Sequence, residues 1–269
     1  MITWTAVAHN RKKNRRSYVR WQTAADRCLE QAHRMAKQPG KSRNNRLIEG
    51  LPKRDRLGLL ALCGEVHLTL AEVVCERGEA LRYAYFPTES FVSLVSVIDG
   101  SPGVEVGMVG SEGMVGAQLA LGIAMAPLHG VVQGDGLAWR IKATDLRRLL
   151  TKSDSLRATL DRYLYVLMAQ LATSAACLRF HEIGPRLARW FLMSQDRAHT
   201  DRFRVTQEFL AFMLGVRRVS ITTAASAMQR KKLISYYRGD VTVVDRKGLE
   251  AMACGCYADD TDAYSALMR

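Results

Sequence analysis

Residues 217–232 carry basic and hydroxyl side chains at spacings that place them on one face of a helix. Arginine can donate two hydrogen bonds to guanine, and threonine or serine hydroxyls can reach bases or phosphates. These side chains therefore predict a surface that contacts DNA bases and the phosphate backbone. The alternative is a solvated basic face with no partner. The residues assigned to this surface are Arg217, Arg218, Val219, Thr222, Thr223 and Ser226, followed by the cations Arg230 and Lys232.

Two short helices joined by a tight turn are needed to position this surface. Thr206 is a helix-capping residue at the start of the first helix. Leu210 and Leu214 lie four residues apart on its apolar face, and Gly215 ends it where a positive φ is least costly for glycine. This order of residues predicts a helix-turn-helix, in which the second helix enters the major groove of DNA. An ordinary helical hairpin is the simpler alternative.

A β-hairpin is predicted directly after the second helix. Residues 233–245, LISYYRGDVTVVD, contain two β-prone runs around a turn at Arg238-Gly239-Asp240. A hairpin in this position is a wing, whose tip lies over the phosphate backbone. Thr206 and Arg238 therefore complete the predicted DNA-binding residues.

The chain resembles a known family in these segments. HEIGPRLARWFLMS, TQEFLAFMLGVRRVSIT and LISYYRGDVTVVDRKGLE are similar to the DNA-binding domain of the Crp/Fnr superfamily of bacterial transcription regulators. Upstream, GEALRYAYFPTESFVSLV and VEVGMVGSEGMVGAQLALG resemble the family's cyclic-nucleotide-binding-type barrel. The resemblance covers roughly residues 45–257 and implies an α+β fold. A basic N-terminal extension (1–44) precedes the match. The parts that the resemblance implies are a cyclic-nucleotide-binding-like β-barrel sensor domain (45–150), a dimerisation helix (151–182) and a winged helix-turn-helix (183–269).

The residues of the second helix can also be compared with those that the family uses to recognise DNA. The best-known members of the family place an arginine and a glutamate in succession, with a second arginine four residues after the glutamate. Here Arg218 matches the first arginine, but Val219 replaces the glutamate and Thr223 replaces the second arginine. We therefore expect this chain to select a different operator.

A long helix is predicted from residue 153 to residue 180. Its apolar residues recur at steps of three and four, which is typical of a coiled-coil seam. A helix packed on its own barrel is the alternative, but in the family this helix pairs across a two-fold axis. The residues assigned to the dimer seam are Leu156, Leu160, Tyr163, Leu167, Leu171 and Leu178.

The family resemblance places an effector pocket at Glu112, Gly113, Met114 and His129. The typical cassette has a Gly-Glu pair for the ribose and an arginine for the cyclic phosphate. Aligned on Gly113, the glutamate position holds Met114, and Ala-Pro-Leu-His stands where the arginine should fall. Cyclic AMP is therefore not expected as the effector, no cofactor is predicted and the effector is unknown.

Six cysteines are scattered along the chain, without a C-x-x-C pair. This pattern favours reduced thiols over disulfides. The family's closely spaced N-terminal iron–sulfur cysteines are missing. Cys254-Gly255-Cys256 is too short to define a metal site, and His181-Glu182 lacks the rest of H-E-x-x-H, so no metal is predicted.

The net charge of +13 comes mostly from the N-terminal extension. Residues 1–46 hold 12 Lys and Arg against 2 acidic residues, whereas the rest of the chain holds 27 against 24. The extension contains RKKNRR and is not a secretory signal, because no apolar core follows these charges. It is interpreted either as a basic amphipathic helix, or as a mobile extension or a wrongly chosen start codon.

These patterns predict a cytoplasmic, homodimeric regulator that binds double-stranded DNA, with RNA polymerase as a candidate partner. No membrane partner is expected, because Gly, Pro and Gln interrupt the uncharged stretch at 113–134. An enzyme is not expected either, since the chain has no G-x-S-x-G, P-loop or zinc-protease motif. The alternative function is a small-molecule-binding or scaffold module whose helix-turn-helix contacts protein rather than DNA.

Overall fold

The computed structural model describes residues 44–98 and 103–268. The predictions for the basic extension therefore lie outside the described residues, apart from its last residue. The described chain begins with two short helices, α1 (Arg46–Glu49) and α2 (Lys53–Leu60). Asn45 caps α1 by accepting from the backbone N–H groups of Leu47 and Ile48. Its amide donates to the carbonyl oxygens of Pro87 and Gly113, so it also ties α1 to the following domain.

Seven antiparallel strands then form the predicted barrel from two sheets, in the orders β1-β7-β3 and β2-β6-β4-β5. A 3₁₀ helix (Ala117–Leu121) precedes β6, with a left-handed glycine at each end. The apolar residues of the strands, such as Phe86, Val92, Val109 and Ile141, are turned inward and almost fully buried. The strands are β1 (Gly64–Leu68), β2 (Val73–Cys75), β3 (Tyr83–Pro87), β4 (Phe91–Ser96), β5 (Val104–Val109), β6 (His129–Gly134) and β7 (Gly136–Lys142).

The predicted long helix follows a short one. After α3 (Ala143–Leu150), helix α4 runs over 27 residues (Asp154–Phe180), and Ser153 caps it by accepting from the N–H of Leu156. By length and composition alone α4 is apolar enough to cross a membrane, but a core helix of a soluble protein passes the same test.

The assignment of the dimer seam on α4 was wrong for its first half. Leu156, Leu160 and Tyr163 are only 1–3 % exposed and pack into the barrel core of the same chain. Leu167 and Leu171 are half-buried, and Leu171 lies over Gly107 of β5. Leu178 is half-buried as well. The helix has the apolar face that its sequence predicts, but this face packs against the barrel of the same chain rather than against a second helix.

A different face of α4 is exposed. Its residues recur at alternating steps of three and four along the helix, the period of a two-helix seam. Tyr165 is 59 % exposed and Met168 is 61 % exposed. Small side chains follow them and would let a second helix come close. The α4 stripe, as we define it, consists of Tyr165, Met168, Ala172 and Ala175.

The C-terminal domain is a winged helix-turn-helix with one strand more than the sequence predicted. Strand β8 extends the hairpin into a three-stranded sheet of order β8-β10-β9. Phe191, Leu210, Ile221 and Val241 are fully buried in its core. Its elements are α5 (Ile183–Ala198), β8 (Arg202–Arg204), α6 (Gln207–Met213), α7 (Arg218–Arg230), β9 (Ile234–Tyr237), β10 (Asp240–Val243), α8 (Arg246–Met252) and α9 (Cys256–Leu267).

Buried polar contacts fasten this domain to the rest of the chain. Arg197 of α5 forms an ion pair of 2.9 Å with Glu112, which follows β5. The Tyr264 hydroxyl of α9 donates to the backbone oxygen of Glu112. Helix α9 also packs against α4, so the last helix of the chain bridges the long helix and the DNA-binding domain.

Candidate nucleic-acid interface

The turn between α6 and α7 has the geometry that the sequence predicted. Thr206 caps α6 by accepting from the N–H of Phe209 at 3.1 Å. Gly215 adopts a φ of +63° just after the helix, and Val216 closes the turn by donating to the Ala211 oxygen. Arg217 is the N-cap of α7. Because this turn is short and held by backbone hydrogen bonds, it fixes the angle at which α7 leaves α6.

Helix α7 divides cleanly into two faces. Ile221, Ala224, Ala225 and Met228 pack into the domain core. The opposite face carries the residues predicted to contact DNA. Arg217, Arg218, Val219, Thr222, Thr223 and Arg230 are exposed, and Ser226 is half-buried. No acidic residue lies in the first turn, so the positive end of the helix dipole is left to attract phosphate.

The threonine hydroxyls are already hydrogen-bonded in the free protein. Thr222 Oγ1 lies 2.6 Å from Gln207 Oε1 and 3.1 Å from the Arg218 oxygen. Thr223 donates to the Val219 oxygen at 3.0 Å. Gln207, at the start of α6, is a polar residue of this surface that the sequence analysis missed. Its place beside Thr206 was the available signal.

The wing stands next to α7. Its two-residue turn places Arg238 and Gly239 at φ values of +48° and +90°, typical of a tight hairpin. The Arg238 guanidinium lies 5.2 Å from the ring centre of the exposed Tyr237. Tyr236 donates to the Val205 oxygen at 2.7 Å and so holds the wing against the start of α6. Lys232, between α7 and the wing, is exposed.

A comparison with known proteins identifies this arrangement. Residues 185–252 match the family model described as the Crp-like helix-turn-helix domain. Solved structures of Crp/Fnr transcription regulators share this fold. One, from Eubacterium rectale, is described as belonging to the crp/fnr family and is 15 % identical, with a TM-score of 0.60 over 77 % of this chain and 96 % of that chain. The C-terminal part of the chain is therefore a Crp-like helix-turn-helix domain, and the chain as a whole shares the fold of these regulators.

Two further solved structures share the fold at similarly low sequence identity. A CRP-family transcriptional regulator from Thermus thermophilus is 20 % identical, with a TM-score of 0.58 over 70 % of this chain and 96 % of that chain. The regulator CLP of Xanthomonas campestris is 18 % identical, with a TM-score of 0.53 over 71 % and 99 %. No curated protein matches this chain as a sequence relative. All three structures are of transcription regulators, in agreement with the prediction that the chain is not an enzyme.

The residues predicted for the effector pocket occupy different environments in the structure. Glu112 is paired with Arg197, and Met114 is 1 % exposed within the barrel core. Gly113 packs so closely under the Tyr163 ring that a methyl group there would overlap the hydroxyl. His129 begins β6, where burial lowers its pKa. The Glu112 carboxylate therefore contacts the DNA-binding domain, and the pocket stays a prediction.

Four potential metal ligands converge at the other end of α4. Cys177, His181, Cys254 and Cys256 each place a donor atom within 4.8 Å of the others. Their spacing in the sequence leaves Cys254 and Cys256 isolated, and no metal was predicted from it. The two other donors, Cys177 and His181, come from a helix end more than 70 residues earlier in the chain.

Glu105 on β5 is a half-buried acid whose ionisation affects stability. Burial raises its pKa to about 7, although Ser93 donates to its carboxylate at 2.6 Å and the charges of Arg197 and Arg189 act in the opposite direction. Since the pKa is raised in the folded state, protonation favours folding. This contribution is fully present below the unfolded pKa of about 4.5 and is lost as the pH rises through about 7.

Glu105→Gln is therefore expected to stabilise the protein at alkaline pH. We expect the free energy of unfolding to rise on the order of 1–2 kcal/mol at pH 8, after allowing for partial solvent screening, and to change little at pH 5. Urea denaturation at both pH values measures the difference. An equal effect at both pH values would show that ionisation of Glu105 is not its cause.

Proposed function

We propose that this transcription regulator acts as a sequence-specific, dimeric DNA-binding protein. The observation that carries the proposal is the outward face of α7, where exposed arginine, valine and threonine side chains stand beside a wing with an arginine at its tip. Arg218 opens the helix, where residues reach base edges, and its guanidinium suits guanine. Val219 is 62 % exposed and offers an apolar surface that suits a thymine methyl group.

The exposed α4 stripe supports the dimer. Tyr165 and Met168 are large apolar side chains in the middle of a long helix, and the described part of the chain does not cover them. A second copy of the same helix presents the same stripe and can pack against it about a two-fold axis. The two α7 helices would then meet half-sites about 34 Å apart, one turn of DNA.

The alternative is a helix-turn-helix that contacts protein. The salt dependence of the chain's affinity for DNA distinguishes this alternative from DNA binding. The experiment measures the affinity of the full chain for duplex DNA between about 50 and 200 mM salt. Each phosphate contact adds about one unit to the slope of log K against log salt. We expect a steep slope, reduced by about one unit in Arg230→Ala and in Lys232→Ala, with Leu57→Ala on the exposed side of α2 as a control. A flat salt profile would favour the protein-contact alternative.

Cyclic AMP is not expected to bind tightly. A buried cyclic phosphate needs a cation, and a ribose hydroxyl needs a free carboxylate. The Glu112 carboxylate is instead paired with Arg197, and Met114 stands in the aligned glutamate position, inside the core. Titration calorimetry of the full chain with cyclic AMP and cyclic GMP tests this expectation. CLP is described as c-di-GMP responsive, so c-di-GMP is titrated in parallel. Micromolar affinity for cyclic AMP or cyclic GMP would contradict the proposed loss of the cassette.

A further inference from the structure

The junction of α4 and α9 holds four side chains that bind soft metal ions. The Sγ atoms of Cys177 and Cys254 lie 3.6 Å apart, and Cys256 Sγ lies 3.5 Å from His181 Nδ1. All four donor atoms lie within 4.8 Å of one another. Three sulfurs and one imidazole nitrogen form the Cys₃His set that is common in structural zinc sites.

The spacing of these donors fits one ion at their centre. Zinc lies about 2.3 Å from sulfur and about 2.0–2.1 Å from nitrogen in a tetrahedral site. This geometry places two sulfurs about 3.8 Å apart and a sulfur and a nitrogen about 3.6 Å apart. The two separations in the structure are close to these values. A disulfide would require the sulfurs to lie about 2.05 Å apart.

Local structure explains how the site is built. Cys177 and His181 are four residues apart at the end of α4, so both project from one face, and the His181 N–H donates to the Cys177 oxygen. Cys254 and Cys256 flank Gly255 at the start of α9. The three cysteines are buried and His181 is exposed, so an ion can enter from the histidine side.

The charge around the site favours an anionic centre. Three thiolates and an imidazole around a divalent ion carry a net charge of about −1. Arg186 of α5 is 8 % exposed, and within the described ranges no carboxylate lies within ion-pair distance of its guanidinium. Arg186 and Cys177 line the same small cavity, so the guanidinium lies close to the cysteine cluster. A buried cation needs a nearby anion, and a metal–thiolate centre supplies one.

We propose that Cys177, His181, Cys254 and Cys256 bind one thiophilic divalent cation of the zinc class in a closed tetrahedral site. Because all four ligands come from the protein, the site is structural and fastens α9 to the end of α4. Asp260 of α9 forms an ion pair with the buried Arg189 of α5. This ion pair links α9 to α5, and the metal would link α9 to α4.

The test measures metal in the full-length protein. After purification without chelator, elemental analysis is expected to find about one zinc per chain. The reduced, zinc-free protein should also take up Co²⁺ and show the visible bands of tetrahedral cobalt with a thiolate-to-cobalt charge-transfer band. Cys254→Ser should lose the zinc, whereas Cys63→Ser, at a cysteine outside the cluster, should retain it. Removal of the ion should lower Tm by roughly 5–10 °C.

His181→Gln provides a second variant, because His181 is exposed and its replacement disturbs little packing. It should keep the fold, bind zinc at least ~10-fold more weakly and shift the cobalt bands. The proposal is overturned if the reduced wild type binds neither Zn²⁺ nor Co²⁺, or if Cys63→Ser loses as much metal as Cys254→Ser. A Cys177–Cys254 disulfide with no metal uptake after reduction would also overturn it. None of these outcomes bears on DNA binding.

Discussion

Met168→Asp is expected to convert the dimer into a folded monomer that binds its operator about 10²–10⁴-fold more weakly. Met168 is 61 % exposed at the centre of the α4 stripe, so the charge would lie in solvent in the monomer but would be buried against its counterpart in the dimer. DNA affinity falls because each half-site then binds independently. Light scattering gives the mass, and fluorescence anisotropy gives the affinity for a two-half-site duplex.

Two other variants serve as controls for the Met168→Asp result, one on the surface and one in the core. Leu57→Asp replaces an equally exposed apolar residue on α2 and should leave both mass and affinity unchanged. Leu160→Asp changes a residue that is 1 % exposed and should unfold the barrel rather than produce a folded monomer. If Met168→Asp stays dimeric and keeps its affinity, the stripe is not the dimer interface.

Arg218→Ala is expected to weaken binding to the preferred operator by about 1–3 kcal/mol and to relax specificity at one base pair per half-site. Arg218 is exposed at the first position of α7, where side chains reach base edges. Loss of a guanidinium that pairs with guanine removes discrimination at that base. Selection from a random DNA pool, with wild type and variant in parallel, measures the preference at each position.

Arg230→Ala is the matched control, since it removes the same charge from the other end of the same helix. It should weaken binding to all sequences evenly and leave the selected motif unchanged. If wild type and Arg218→Ala enrich the same motif equally at every position, Arg218 does not read a base. The assignment of the recognition face would then be wrong.

The sequence alone determined the helix-turn-helix and its wing. The signals for this unit are local: a capping threonine, apolar residues four apart, a glycine suited to positive φ and a glycine-containing hairpin turn lie within 40 residues. Each fixes the backbone or the buried face of its own segment, and together they orient α7. The outward position of Arg218 and Thr223 follows once Ile221 is placed inside.

Only the tertiary structure decided which surfaces of α4 are free. Apolar residues at steps of three and four show that one face of a helix is apolar, but they do not show which element packs against that face. The barrel covers Leu160, and the less apolar stripe around Met168 is left exposed. Likewise, Glu112 is close to the family's ligand position in sequence, yet its pairing with Arg197 depends on how the two domains pack.

The cysteine cluster shows the same limit at longer range. Cys177 and Cys254 are 77 residues apart, and no spacing rule connects a helix end with a loop at that distance. Their approach depends on α9 returning to pack against α4 and α5, through contacts such as Asp260 with Arg189. Local backbone conformation depends on neighbouring residues and can be predicted from them. A site assembled from distant segments forms only when the core packs those segments together.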